Sequence, residues 1–258
     1  MMAMVIRTSP RWPLTVGVAV GVYLAYSLLV MGTWWGFGIP YQRLGEAPYL
    51  LRGVVAPLAV AAVLLALLQG VGGWWPATVR EVRPLRRPLF LVLLLAANLG
   101  FILPGLLTQP WARLTPEHVA LLVLGTALVG FCEETVNRGL LLTALRDTGR
   151  GERWAWFGSC ALFGLMHLPN GLFGTGAMEF VQVLLAFMMG SGLYLLRRFS
   201  GALWLPMGVH AAWDLTTLAA GQTGTPPMPA QVLAMVASYA LSLLLAALVL
   251  RGERTALA

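Results

Sequence analysis

Lysine is absent from this 258-residue chain, and all 17 of its basic residues are arginines. Charge of either sign is scarce. Charged residues make up 10% of the sequence, against about 25% in a typical soluble domain. With 59% hydrophobic residues and a mean hydropathy of +0.78, the chain cannot cover its own surface in water, which excludes a water-soluble globule. Only two cysteines occur, Cys132 and Cys160, both inside apolar runs. That excludes a disulfide framework, and they read as small buried packing residues. No internal repeat, low-complexity tract or soluble domain is visible, so residues 1–258 are expected to form a single integral membrane domain.

What is there is a succession of long apolar runs. A membrane-crossing helix needs about 20 apolar residues. Eight candidate spans follow, at about 14–37, 54–75, 88–107, 118–145, 154–168, 178–196, 202–219 and 231–250. The fifth is the shortest, ending at Leu168-Pro-Asn-Gly171. The first is too long for a signal-peptide core and no small-residue cleavage site follows it, so it reads as a retained span. Residues 39–53, with Tyr41, Arg43, Tyr49 and Arg52, read either as an amphipathic interfacial segment or as a plain loop.

Arginine placement sets the expected orientation. With the N-terminus inside, 13 arginines fall on the cytoplasmic side: Arg7 and Arg11; Arg80, Arg83, Arg86 and Arg87; Arg146, Arg150 and Arg153; Arg197 and Arg198; Arg251 and Arg254. Arg43, Arg52 and Arg113 fall opposite. The predicted fold is therefore all-α and polytopic, N-in and C-in, in the cytoplasmic membrane. The net charge of +7 belongs to these loops, so no nucleic-acid partner is expected. Trp34, Trp35, Trp74, Trp75, Trp111 and Trp154 lie near predicted span ends, where an aromatic belt belongs. Gly17 and Gly21 have the spacing of a close-packing helix face.

Within the fourth run stands Phe131-Cys-Glu-Glu-Thr-Val-Asn-Arg-Gly139. An ionisable group at the centre of a span costs at least about 2.5–3.5 kcal/mol and marks a site by default. Residues four apart share a helix face, so Glu134 and Arg138 are expected to form a structural ion pair while Glu133, turned about 100° away, faces elsewhere. His210 and Asp214 are likewise four apart, and Phe163 sits one turn before His167. At about 1.5 Å per residue, Glu133, His167 and Asp214 each lie roughly 20 Å from the predicted cytoplasmic end, and His210 about 14 Å. A His–Asp pair alone also serves as a tie between helices, and a lone histidine near a helix end also serves packing. The shared depth is what groups Glu133, His167, His210 and Asp214 as a site. Glu179 reads as a solvated interfacial residue, and Glu117 and His118 as a helix start.

A carboxylate and two imidazoles in a low-dielectric pocket suit general-base activation of water. Two histidines and a carboxylate also have the donor set for zinc. No serine stands at a nucleophile turn, and Cys132 lies on a different face from Glu133.

These residues carry a resemblance. Glu133-Glu-Thr-Val-Asn-Arg138 is similar to a Glu-Glu-x-x-x-Arg motif, Phe163-Gly-Leu-Met-His167 to Phe-x-x-x-His, and His210-Ala-Ala-Trp-Asp214 to His-x-x-x-Asn/Asp. The segment 118–219 resembles the CAAX-protease and bacteriocin-processing family of intramembrane glutamate proteases, which includes the type II CAAX prenyl endopeptidases. The resemblance implies an eight-helix fold with a cavity open to the cytoplasm or bilayer. It implies that Glu133 and His167 activate water, that His210 and position 214 support the oxyanion, and that no metal is bound, while Glu134, Arg138 and Phe163 read from their helical spacing as structural support of the site and no cofactor is expected. Asp214 stands where the prenyl endopeptidases typically have Asn. An ionised Asp cannot donate to an oxyanion, so Asp214 either acts protonated or orients His210. Arginine without lysine and compact loops point to a prokaryotic chain, for which prenylated substrates are not implied.

The expected function is an intramembrane endopeptidase that cleaves a membrane-associated peptide or protein near its terminus. A non-proteolytic scaffold or immunity protein and a proton-coupled transporter are the rival readings.

Overall fold

The computed structural model describes residues 10–255. Arg7 and the side chain of Arg254 lie outside the description. All eight predicted spans are helical: α1 (Val16–Phe37), α2 (Ala47–Gly72), α3 (Pro88–Leu107), α4 (Pro116–Asp147), α5 (Glu152–Leu165), α6 (Glu179–Ser200), α7 (Trp204–Thr223) and α8 (Pro229–Thr255). Among the described residues, six helices are long and apolar enough to cross a membrane: α1, α2, α3, α4, α8 and Gly176–Ser200, which contains α6. The other two differ for physical reasons. α5 has 14 residues, and α7 carries His210, Asp214, Thr216, Thr217 and Gln222.

Local chemistry sets the helix ends. Thr15 and Thr115 cap α1 and α4 by accepting from the backbone N–H groups of Val18 and His118. Prolines open α3, α4 and α8, where the missing N–H is not needed. Between α6 and α7 the chain reverses at Gly201, whose φ of 81° a side chain would strain. The segment 39–53 is neither a plain loop nor a separate amphipathic piece. A short 3₁₀ turn at Tyr41–Arg43 is followed by α2, which begins at Ala47 and reaches Gly72 through a widened turn at Leu51–Val55.

Helix α4 packs on α2 and α7, α6 on α5 and α8, and α8 on α3. Outward faces are apolar, with Leu28, Val63, Leu64, Leu103 and Leu233 exposed. In lipid such faces gain nothing by association, so helices hold by close packing and polar ties. Gly130 illustrates the first: a Cβ there would stand 2.5 Å from the Met207 carbonyl oxygen of α7. Gly130→Ala is expected to force α4 and α7 apart and to lower stability by about 1–3 kcal/mol, measurable as a fall in melting temperature in detergent. An unchanged melt would show that the two helices adjust freely. Gly21 faces open space instead, and Gly17 meets only the hydroxyl of Thr15 in its own helix cap, so neither touches a neighbouring helix.

Polar ties gather at one end of the bundle. Arg146 pairs with Glu81 (2.9 Å) and Glu152 (2.5 Å), Arg197 with Glu81 (3.1 Å), and Tyr194 donates to Glu152 (2.9 Å). Arg83 reaches Glu152 from outside at 3.1 Å. Arg146, Arg197 and Arg198 are buried, so three arginines expected in exposed loops instead tie α4, α5 and α6 together. Trp34 and Trp74 are also inside, donating to the Gly53 and Trp12 carbonyls, whereas Trp35 and Trp154 are exposed as a belt requires.

Candidate active site

The site begins where α4 changes pitch. After Glu134 the helix widens into a π-helical segment, Thr135–Leu141, every residue of which is buried. The Asn137 side chain donates to the Glu133 carbonyl at 2.8 Å, occupying the acceptor that the Asn137 backbone N–H would use in an α-helix. Such segments are frequent at functional sites. Here it starts directly after the two glutamates.

Glu134 is completely buried, and its Oε1 accepts from Arg138 Nη1 at 2.7 Å and from His210 Nδ1 at 3.1 Å. The expected Glu134–Arg138 pair is present, and Glu134 also reaches across to α7. The Arg138 guanidinium lies 3.9 Å from the centroid of the Phe163 ring. Phe163 in turn meets His167 and His210 edge-on at 5.4 and 5.6 Å. One phenyl ring therefore touches the buried arginine and both imidazoles.

On the open side, His210 Nε2 lies 3.5 Å from Asp214 Oδ2 and 3.9 Å from Glu133 Oε2. His167 sits just past the end of α5, and its Nδ1 is 2.9 Å from the Phe163 carbonyl oxygen. A carbonyl only accepts, so Nδ1 carries the proton and the neutral ring keeps Nε2 as an acceptor. Glu133, His167, His210 and Asp214 all line one cavity of about 310 Å³. A second cavity of about 320 Å³, bounded by Val181, Met189, Trp213 and Tyr239, meets the first at His167, Gln182, His210 and Asp214. Among the described residues, no group of three or more His, Cys, Asp or Glu side chains is arranged to hold a metal ion.

Sequence reasoning did not single out several wall residues. Tyr26 of α1 donates to Glu133 Oε1 at 3.5 Å, and Tyr23, one turn earlier, to the Leu162 carbonyl at 2.9 Å. Two tyrosines three apart in an otherwise apolar run were the available signal. Asn170 and Gln182 also line the cavity. Glu179 is buried rather than solvated. With the Gln182 amide oriented to satisfy both ends, it donates to Glu179 at 2.7 Å and accepts from the Tyr41 hydroxyl at 2.9 Å. Cys132 packs against α2, its Sγ 3.5 Å from the Leu58 carbonyl, and takes no part. Glu117 and His118 lie in the capped first turn of α4, as expected, with His118 Nε2 bonded to the Gly45 carbonyl.

No curated protein and no solved structure matches the chain. Residues 115–216, which carry all three motifs, match the family model described as "Type II CAAX prenyl endopeptidase Rce1-like". Over this segment the chain is similar to the type II CAAX prenyl endopeptidases, in agreement with the resemblance its motifs carry.

Proposed function

We propose that the protein is a metal-independent intramembrane glutamate endopeptidase of a prokaryotic cytoplasmic membrane, acting on membrane-associated peptides or proteins. One observation carries the reading. The Glu133 carboxylate and an imidazole whose tautomer leaves Nε2 free to accept line the same cavity, within reach of lipid-facing helices.

In this mechanism a water held by Glu133 and His167 loses a proton to Glu133 as its oxygen attacks the carbonyl carbon of the substrate peptide bond. His210 is held by Glu134 through Nδ1. As the imidazolium it donates through Nε2 to the developing oxyanion. Asp214, 3.5 Å from that nitrogen, orients and charges the ring, a task an ionised carboxylate performs without donating. When the C–N bond breaks, the proton on Glu133 passes to the leaving amine. Tyr26 steadies Glu133 from the far side.

The test is mass-spectrometric cleavage of a mixed lipopeptide and peptide pool by the purified protein, with and without chelator. Cuts indifferent to chelator are expected. Loss of cleavage with chelator overturns the metal-independent mechanism, and a pool left intact overturns the peptidase reading in favour of a binding scaffold or transporter.

A further inference from the structure

Asn170 is 3% exposed and lines the cavity together with His167, yet its side-chain amide has no hydrogen-bond partner among the described residues. A buried amide left unpaired calls for a physical reason. The other two asparagines of the chain, Asn98 and Asn137, each donate to the carbonyl one helical turn earlier. The remaining neutral polar groups on the wall are engaged as well. Tyr26 is bonded to Glu133, Ser27 to the Tyr23 carbonyl, Gln182 to Glu179 and Tyr41, and Thr217 to the Asp214 carbonyl. The turn that carries Asn170 is nevertheless held in place. Its backbone N–H donates to the His167 carbonyl at 2.9 Å, a Cβ on Gly171 would stand 3.0 Å from the Gly176 carbonyl oxygen, and Phe173 meets Trp34 edge-on at 5.4 Å.

Position and chemistry together indicate what the amide is for. Side chains three apart in a 3₁₀ turn eclipse one another, so Asn170 stands on the same side of its turn as His167. One such turn rises about 6 Å, roughly two residues of an extended chain. A carboxamide offers two N–H donors and a carbonyl acceptor, the complement of a peptide group. A peptide that enters a largely apolar cavity loses free energy wherever its own main-chain groups go unpaired. We propose, building on the peptidase reading, that Asn170 is a substrate-binding residue, pairing with one main-chain amide of the substrate within about two residues of the bond that is cut. The site thus reads a secondary amide at that position rather than a side chain, and a unit without the N–H is disfavoured there.

Rhodamine-labelled apolar octapeptides, with each internal amide replaced in turn by an ester, test this directly. An ester has no N–H and a weaker acceptor. Binding to the full-length protein in detergent is read by fluorescence anisotropy. At one position the ester is expected to weaken binding about tenfold in the parent protein, and less than about twofold in Asn170→Leu, the scale of one buried hydrogen bond. Asn170→Leu should weaken binding of the all-amide peptide by about the same tenfold. Its melting temperature should equal the parent's or exceed it, because an unpaired amide gives way to an apolar side chain of similar size. Asn170→Ala repeats the comparison without the bulk of leucine. No ester penalty at any position, a penalty that survives both substitutions, or no binding of the peptides overturns the proposal. So does a melting temperature lowered by several degrees in both variants, which would assign Asn170 to the fold. Cleavage of the same peptides is scored separately. Selective binding without any cut counts against the peptidase and leaves the pairing at Asn170 standing.

Discussion

Glu133→Gln is expected to lower the cleavage rate by about 10²–10⁴-fold, the range that a positioned general base contributes, with the melting temperature nearly unchanged. Glutamine fills the same space and still accepts from Tyr26, whose hydroxyl approaches Oε1 at 3.5 Å. What it cannot do is take a proton from water. The group it replaces is not a buried ion pair: Glu133 Oε2 has no hydrogen-bond partner in the structure, and its nearest cation is His210 Nε2 at 3.9 Å. Stability therefore has little to lose. His167→Ala should produce a loss of similar size, and the double variant little beyond either single one, because residues acting on the same water are not additive. Initial rates of a mapped cut, measured beside thermal melts, check all three. A Glu133→Gln enzyme retaining more than a tenth of the parental rate would remove Glu133 from the role of base.

Arg138→Ala should do the reverse, acting on stability first. The guanidinium is wholly buried, bonded to a wholly buried carboxylate and laid on an aromatic ring. Removing it leaves Glu134 with His210 alone and opens a void between Phe163 and Gly190. Breaking a buried pair from one side costs about 3–5 kcal/mol. At roughly 2–4 °C per kcal/mol for a chain near this size, the melting temperature should fall by about 10 °C. Arg138→Lys should recover only part of this, since an ammonium neither stacks flat on the ring nor keeps the forked geometry. The exposed Arg43–Glu46 pair is the control. Its hydrogen bond holds the Glu46 carboxyl below the ordinary carboxylate range, yet both groups stand in solvent, and Arg43→Ala should leave the melt where it was. Equal melting of Arg138→Ala and the parent would show that the pair contributes little to the fold.

The contrast between these pairs also explains what could be read in advance. Span positions depend on local quantities, run length and arginine punctuation, and every predicted span is a helix in the structure. The Glu134–Arg138 and Phe163–His167 contacts were legible because one helical turn brings residues four apart together. Long-range partners were not. Arg146, Arg197 and Arg198 look like loop charges until Glu81, from the connection before α3, and Glu152, at the start of α5, fold against them. Glu179 looks like an interfacial residue until Gln182 and Tyr41 close over it. Trp34 and Trp74 sit where a belt belongs, but each finds a backbone carbonyl inside the fold. Tyr26 had only its spacing of three from Tyr23 as a signal. It enters the site only because α1 packs beside the widened turn of α4.

That widened turn makes α4 sensitive to the number of residues it contains. A π-helical segment holds roughly one residue more than an α-helix of the same angular travel. Deleting a single residue between Thr135 and Leu141 would let the rod close to an ordinary helix of nearly the same angular travel, whereas adding one with the widened segment kept would rotate everything after it by about 100° relative to Glu133 and Glu134. With the added residue Arg146 would swing off Glu81 and Glu152, and the lattice joining α4, α5 and α6 would lose its centre. The two ends of α4 are thus locked in phase, like gears on one shaft. An in-frame gain of a codon in this stretch is expected to be harsher than most exchanges of one residue for another.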